Sequence, residues 1–216
     1  MVESFISSLV QDILMLLRPQ KDFFGLDKVK RAQIAEDYSG SKVLADYLSH
    51  VSEAAFVDDL HTALKEKKGP LVQLLADYFL REFPLVFDQL NSQFYRLSGP
   101  EQKKFAESLF PKNTVFTSTA QEYLLLMSYQ EISENIVVFL KECYDSPRIM
   151  VQSPLETDTK TKTEIRRYFS KTFPRSFVTF SINSQLIGGI RFFVDGKVDD
   201  LSWFSKIQAI RSLVHH

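Results

Sequence analysis

Apolar residues recur at helical spacing through the first 145 residues of the chain. Leu71, Leu75 and Phe79, for example, fall on one face of a helix. Turn-forming residues break the pattern at Ser39-Gly40-Ser41, Gly69-Pro70, Pro84, Ser98-Gly99-Pro100-Glu101 and Pro111-Lys112-Asn113. At the fourth break, Ser98 and Glu101 have the spacing of a capping box, which starts a helix. The pattern therefore predicts an all-α helical bundle over residues 1–145.

Two segments of this bundle, one at its N-terminal end and one at its C-terminal end, need separate interpretation. The stretch FISSLVQDILMLL carries Asp12 in its middle and falls short of the roughly 18 apolar residues that span a bilayer. No basic segment precedes it, so we expect an amphipathic helix rather than a secretory signal or transit peptide. A single long helix is predicted near Ala120 to Cys143, because Tyr129, Ile132, Ile136, Phe139 and Cys143 share one stripe.

The pattern changes after Asp145-Ser146-Pro147. Alternating apolar residues predict three strands, at Ile149–Val151, Val178–Ile182 and Ile190–Val194. A short amphipathic helix with Ile165 and Phe169 lies between the first two, and Asp195-Gly196 is a turn signal. A last helix follows, with Asp199 and Asp200 near its start and an apolar stripe at Trp203, Ile207, Ile210 and Val214. Residues 146–216 thus form a small β-α-β-β-α domain, and the fold class is α+β.

Charge divides the chain at the same place. The formal net charge is −1, but residues 146–216 carry 11 Lys and Arg against 6 Asp and Glu. The first 145 residues are correspondingly acidic, with 15 basic and 21 acidic side chains. Two segments of opposite sign suggest different partners, and a basic segment can attract nucleic acid, anionic lipid or an acidic protein.

Residues that often carry chemistry are few and do not form a known catalytic pattern. His50 and His61, with Asp58 and Asp59 nearby, lack the spacing of a metal site, and His215 and His216 are terminal. The one cysteine, Cys143, excludes an internal disulfide and lies on an apolar stripe, which favours a buried thiol. We therefore expect no catalytic residues, no cofactor and no metal.

A basic group, Lys160, Lys162, Arg166 and Arg167, surrounds the short helix of the second domain. Its residues form either a solvated helix face or a partner surface, and the sequence leaves both open.

Two of the chain's 7 glycines, Gly188 and Gly189, stand side by side at the start of a predicted strand. They lack the pattern of a phosphate-binding loop. We expect them to allow close approach of a neighbouring backbone or a bulge at the start of that strand.

The segment NSQLIGGIRFFVDGKVDDLSWFSKI, residues 183–207, resembles the C-terminal signature of the delta subunit (OSCP) family of F-type ATP synthases. The residues that carry the resemblance are Asn183, Leu186, Ile187, Gly188, Gly189, Ile190, Val198, Asp200, Ser202, Lys206 and Ile207. The preceding piece VQSPLETDTKTKTEIRRYF, residues 151–169, also resembles that family.

The resemblance implies a non-catalytic stator, or peripheral stalk, subunit. In that family, the helical N-terminal domain binds the N-terminal helices of the alpha subunits, and the C-terminal domain binds the b subunit of the stalk. Neither nucleic acid nor a cofactor is expected. Membrane association would be peripheral, through the complex on the cytoplasmic face of a bacterial plasma membrane.

Three other functions remain open at this point. The E-type stalk protein of vacuolar or archaeal-type ATPases also has a Gly-Gly strand before a helix, but it begins with one long continuous helix. A helical adaptor with a basic RNA-binding or protein-binding module would use the positive charge of residues 146–216. An enzyme with an unrecognised site is the last alternative.

Overall fold

The computed structural model describes residues 1–200, without the side chain of Asp200, and the chain forms two compact units. The first unit comprises residues 1–135 and the second begins at Ile136, whereas the change of sequence pattern comes after Asp145. The helices that follow one another from the N-terminus are α1 Val2–Leu17, α2 Lys28–Ser39, α3 Lys42–His50, α4 Glu53–Glu66, α5 Pro70–Arg81, α6 Phe83–Phe87, α7 Gly99–Ser108, α8 Val115–Leu126 and α9 Tyr129–Tyr144. A 3₁₀ helix at Phe94–Arg96 precedes α7. The predicted α-helical region is confirmed.

Local capping explains where several helices begin. Ser41 caps α3 by accepting a hydrogen bond from the Leu44 amide at 3.1 Å. Pro70 occupies the first position of α5. At α7, the Glu101 carboxylate accepts a 2.9 Å hydrogen bond from the Ser98 amide, as its capping-box spacing predicts. Sequence alone indicates these starts because donor and acceptor lie within one turn.

The single helix predicted near Ala120 to Cys143 is wrong. The chain leaves helical geometry at Met127, between α8 and α9. There Ser128 and Glu131 form another capping box. The Glu131 carboxylate accepts a 2.8 Å hydrogen bond from the Ser128 amide, and the Ser128 hydroxyl accepts a 3.3 Å hydrogen bond from the Glu131 amide. Because a capping box satisfies the orphan amides of a helix start, it favours a new helix over continuation of the old one.

A chain of aromatic rings runs through the core of the first unit. Phe5 packs edge-on against Phe79 with ring centroids 5.3 Å apart, and Phe79 packs edge-on against Phe83 at 5.5 Å. Phe83 stacks on Phe87 at 5.3 Å, which in turn stacks on Tyr129 at 4.1 Å. Such pairs add about 0.5–1.5 kcal/mol each beyond the burial of their area. The rings therefore join α1, α5, α6 and the start of α9.

The second unit contains a four-stranded mixed sheet. Its strands are β1 Ile149–Ser153, β2 Val178–Ile182, β3 Arg191–Val194 and β4 Lys197–Asp200, in the spatial order β2-β1-β3-β4. Helix α10, Thr159–Thr172, connects the parallel pair β1 and β2, and β3 is antiparallel to both β1 and β4. Phe169 of α10 packs with the β1 residues Ile149 and Val151 in the core. The α+β class is confirmed.

Strand β4 differs from the sequence prediction, which places Asp199 and Asp200 near the start of a last helix. The Asp195-Gly196 turn instead returns the chain along β3, so that Phe192 pairs with Asp199 and Phe193 with Val198. A four-residue edge strand with three charged residues lacks the apolar alternation that would reveal it. The predicted helix with Trp203, Ile207, Ile210 and Val214 lies outside the described residues, as do Ser202, Lys206, His215 and His216.

Within residues 1–200, none of the helices combines the length and the apolar character that crossing a membrane requires.

Candidate functional site

An apolar cleft of about 380 Å³ lies in the first unit. Buried Leu9, Leu75 and Phe116 form part of its wall, and exposed Leu85 and Lys42 lie among its outer residues. The lining comes from α1, the end of α2, α3, α5, α6, the start of α8 and the segment that precedes α8. Its volume falls within the roughly 300–1,000 Å³ of ligand pockets.

Asp12 fixes one wall of the cleft. This α1 residue is 1% exposed. Its two carboxylate oxygens accept hydrogen bonds from the backbone amides of Val115, at 2.9 Å, and Phe116, at 2.8 Å. The Tyr38 hydroxyl donates a longer bond, 3.4 Å, to the same carboxylate. Because the first amides of a helix lack intrahelical acceptors, Asp12 caps α8 from α1 and uses both of its oxygens to do so.

Glu82 occupies a similar place at the start of α3. Its Oε1 accepts a 2.9 Å hydrogen bond from the amide of Val43. Its Oε2, in contrast, accepts no hydrogen bond from any residue in the described part of the chain. Nor does any lysine or arginine nitrogen of residues 1–200 lie within 4.0 Å of this carboxylate. One oxygen of Glu82 therefore remains available to a ligand.

Tyr78 contributes a hydroxyl to the same cleft. Its ring packs edge-on against Phe116, with centroids 4.7 Å apart. Burial, and then the negative charge of Glu82, raise the pKa of the hydroxyl, so it keeps its proton at neutral pH. The hydroxyl has no hydrogen-bond partner within residues 1–200, and it can still donate or accept one bond.

These contacts decide which chemistry the cleft can hold. The starts of two helices, α3 and α8, border it, but Glu82 and Asp12 already occupy their amides. An incoming phosphate or carboxylate would meet two carboxylates instead of exposed amides, which is unfavourable. The cleft therefore suits an apolar group that carries a hydrogen-bond donor.

The Gly-Gly signature lies in a loop of the second unit. Gly188 and Gly189, predicted at the start of a strand, fall in a bend between β2 and β3, and β3 begins at Arg191. Gly189 has a φ of +78°, in the left-handed region that glycine adopts without strain. Leu186 is buried, whereas Ile187 is 69% exposed.

Other signature residues frame this loop. Asn183 precedes it, and its backbone amide donates to the Ser153 carbonyl at 2.8 Å. Ile190 lies just before β3, while Val198 and Asp200 belong to β4. At this end of the sheet, where β1 and β2 finish, the exposed aliphatic residues are Leu155, Ile182 and Ile187.

The basic group of α10 separates into two pairs. Lys162 is 4% exposed, and its ammonium lies 5.9 Å from the centre of the Phe180 ring. Arg166 donates to the Val178 carbonyl and stacks 4.4 Å above the Phe177 ring. These two residues therefore belong to the packing of α10 on β2. Lys160 and Arg167 are exposed.

The two histidines of the first unit lie on different helices, because the chain breaks at Val51-Ser52 between α3 and α4. The His50 ring bonds the Asp46 carbonyl and the Ser49 hydroxyl. Asp59 accepts a 2.7 Å hydrogen bond from Tyr47. Over the described range, residues 1–200, no group of three or more His, Cys, Asp or Glu side chains could hold a metal ion.

Cys143 is partly buried near the end of α9. Burial, and then the charge of Glu142, raise the pKa of the thiol to about 11. Since the thiolate is the nucleophilic form, a thiol with this pKa is a weak nucleophile at neutral pH.

Sequence reasoning missed the cleft, because residues far apart in the chain line it. One signal could have pointed to it: Asp12 interrupts an apolar helical segment, and a buried carboxylate requires hydrogen-bond donors from elsewhere.

No family model matches this chain, and no curated protein matches it. The resemblance to the delta subunit family consequently rests on the quoted C-terminal residues alone.

Proposed function

We propose that the protein is a non-catalytic stator subunit of an F-type ATP synthase, acting at the cytoplasmic face of a bacterial plasma membrane. The observation that carries this proposal is the C-terminal signature, which runs from Asn183 through Leu186–Ile190 to Val198 and Asp200. Its described part occupies one loop and the hairpin β3–β4, next to the ends of β1 and β2. A clustered signature supports a shared structural role for these residues.

A stator subunit needs one surface for the catalytic head and another for the stalk. In the first unit, the apolar cleft suits the apolar face of an amphipathic helix, such as the N-terminal helix of an alpha subunit. In the second unit, exposed Leu155, Ile182 and Ile187 offer apolar area to the b subunit. Binding at both surfaces would couple head and stalk against the torque of the rotor, without any chemistry.

The helical architecture favours this assignment over the E-type stalk protein of vacuolar or archaeal-type ATPases. That alternative requires one long continuous N-terminal helix. Residues 2–126 instead form separate helices, α1 to α8, each of 16 residues or fewer.

Depletion of the protein in its source organism tests the proposal. We expect membranes from depleted cells to lose ATP-driven ion pumping, while the head retains ATP hydrolysis and washes off the membrane more easily. Restoring the wild-type chain should restore pumping. Normal pumping in cells that lack the chain would overturn the proposal.

A further inference from the structure

We propose that the cleft of the first unit selects an amphipathic helix that places one basic side chain against Glu82 and Tyr78. The choice of a helix as the occupant rests on the proposed stator function. The requirement for a basic residue comes from the polar groups of the cleft.

The apolar part of the occupant follows from the lining. Leu9, Leu75 and Phe116 are buried in the wall and offer no polar side-chain atom. Apolar side chains inserted here would gain about 25 cal/mol for each Å² removed from water. A wholly polar ligand would gain little from this wall.

The basic residue follows from the two carboxylates. Asp12 uses both oxygens at the start of α8. Glu82 uses one at the start of α3 and leaves Oε2 without a hydrogen bond from residues 1–200. Tyr78 lines the same cleft, where the charge of Glu82 acts on its hydroxyl, and this hydroxyl also lacks a partner in the described chain. An ammonium or guanidinium group donates to both and complements the charge of Glu82.

The extended shape of the occupant follows from the outer part of the cleft. Leu85, on α6, is 62% exposed, and Leu109 and Phe110, which precede α8, are partly exposed. These residues carry apolar surface from the cleft to the outside of the unit. A helix with several apolar side chains covers such a surface more fully than a small molecule does.

Fluorescence anisotropy on the full-length protein tests the selection. The probes are three labelled, alanine-rich helical peptides of about 16 residues, with leucine at i, i+3, i+4 and i+7. They differ at one further position of the stripe, which holds lysine, norleucine or glutamate. We expect the lysine peptide to bind about tenfold more tightly than the norleucine peptide, and the glutamate peptide to bind most weakly.

Variants assign the preference to the cleft. Glu82→Gln keeps an oxygen for the Val43 amide but removes the charge. It should therefore bind the lysine peptide no more tightly than the norleucine peptide. Tyr78→Phe keeps the ring but loses the hydroxyl, and it should reduce the difference in affinity between the lysine and norleucine peptides. Glu122→Gln, at an exposed position of α8 outside the cleft, should leave this difference in affinity unchanged. Circular dichroism melts would establish that each variant is folded.

Equal affinity of the three peptides for the wild-type protein would overturn the inference, and so would a lysine preference that persists in folded Glu82→Gln and Tyr78→Phe. If pumping is lost on depletion but no peptide is preferred, this inference fails and the stator proposal stands. If lysine is preferred but depletion leaves pumping intact, the stator proposal fails and the cleft remains a helix-binding site.

Discussion

At the scale of single residues, Asp12 links two distant parts of the chain. Its carboxylate caps a helix start that lies 103 residues further along the sequence, at Val115. A buried carboxylate is stable here because two backbone amides donate to it and the dipole of α8 favours its charge.

Replacing Asp12 by alanine should therefore destabilise the first unit by about 3 kcal/mol, since the variant loses the cap and leaves two amides without acceptors. Asp12→Asn keeps one acceptor oxygen and should destabilise the first unit by a smaller amount. Chemical denaturation measures both, and Asp58→Ala, at an exposed position of α4, serves as the control. An Asp12→Ala variant as stable as the control would contradict this role.

Gly189 is the signature residue whose backbone most clearly requires glycine. Its φ of +78° strains any residue with a Cβ atom, so Gly189→Ala should destabilise the second unit by about 1 kcal/mol. Gly99→Ala is the matched control, because Gly99 begins α7 and a Cβ atom there meets nothing within 4 Å. Thermal unfolding compares the two, and equal melting temperatures would count against the strained loop.

At the scale of elements, capping boxes set the boundaries of several helices. At the start of α9, the Ser128 amide and then the Ser128 hydroxyl donate to Glu131 and hold the pKa of its carboxyl below 4.5. A lowered pKa in the folded protein means that the unfolded chain takes up the proton more readily. The contribution of this cap to the stability of the folded protein is therefore complete above a pH of about 4.5. It is lost as the pH falls through the lowered pKa.

Ser128→Ala removes the hydroxyl but keeps the backbone amide, which is the larger cause of the lowered pKa. The variant should therefore raise the pKa of Glu131 only part of the way toward its ordinary value and loosen the start of α9. NMR titration of the glutamate carboxyl carbons measures the pKa, and amide hydrogen exchange measures the loosening. Glu101, whose pKa Ser98 holds below 4.5 in the same way, is the internal control and should titrate as in the wild-type protein. An unchanged Glu131 titration would show that the Ser128 hydroxyl does not contribute to this lowered pKa.

The elements that the sequence predicts correctly depend on local signals. Helix α5 begins at Pro70, α7 begins after Ser98, and the β3–β4 turn lies at Asp195-Gly196. The sequence contains the capping box of Ser128 and Glu131 as well, but the continuous apolar stripe across it favoured one helix. Strand β4 could not be predicted, because its pairing with β3 rather than its own composition makes it a strand.

The candidate site was less predictable than the fold. The contact between Glu82 and Val43 joins residues 39 positions apart, and that between Asp12 and Phe116 joins residues 104 positions apart. No periodicity or motif brings such pairs together, because tertiary packing alone determines them. The sequence pattern placed the glycine pair at the start of the third predicted strand, whereas Gly188 and Gly189 lie in the loop before β3.

At the scale of the whole molecule, the chain combines an acidic helical unit with a basic α+β segment. Opposite charges on the two parts can direct different partners to each of them. A stator requires this division of binding, and neither unit needs catalytic residues for it. The proposed function therefore depends on whether the protein resides in an ATP synthase.

Native mass spectrometry of intact ATP synthase from the source organism tests that residence most directly. We expect this chain to be present in the complex and to be retained in subcomplexes that contain the alpha and b subunits. An intact, coupled ATP synthase that lacks this chain would contradict the proposed function.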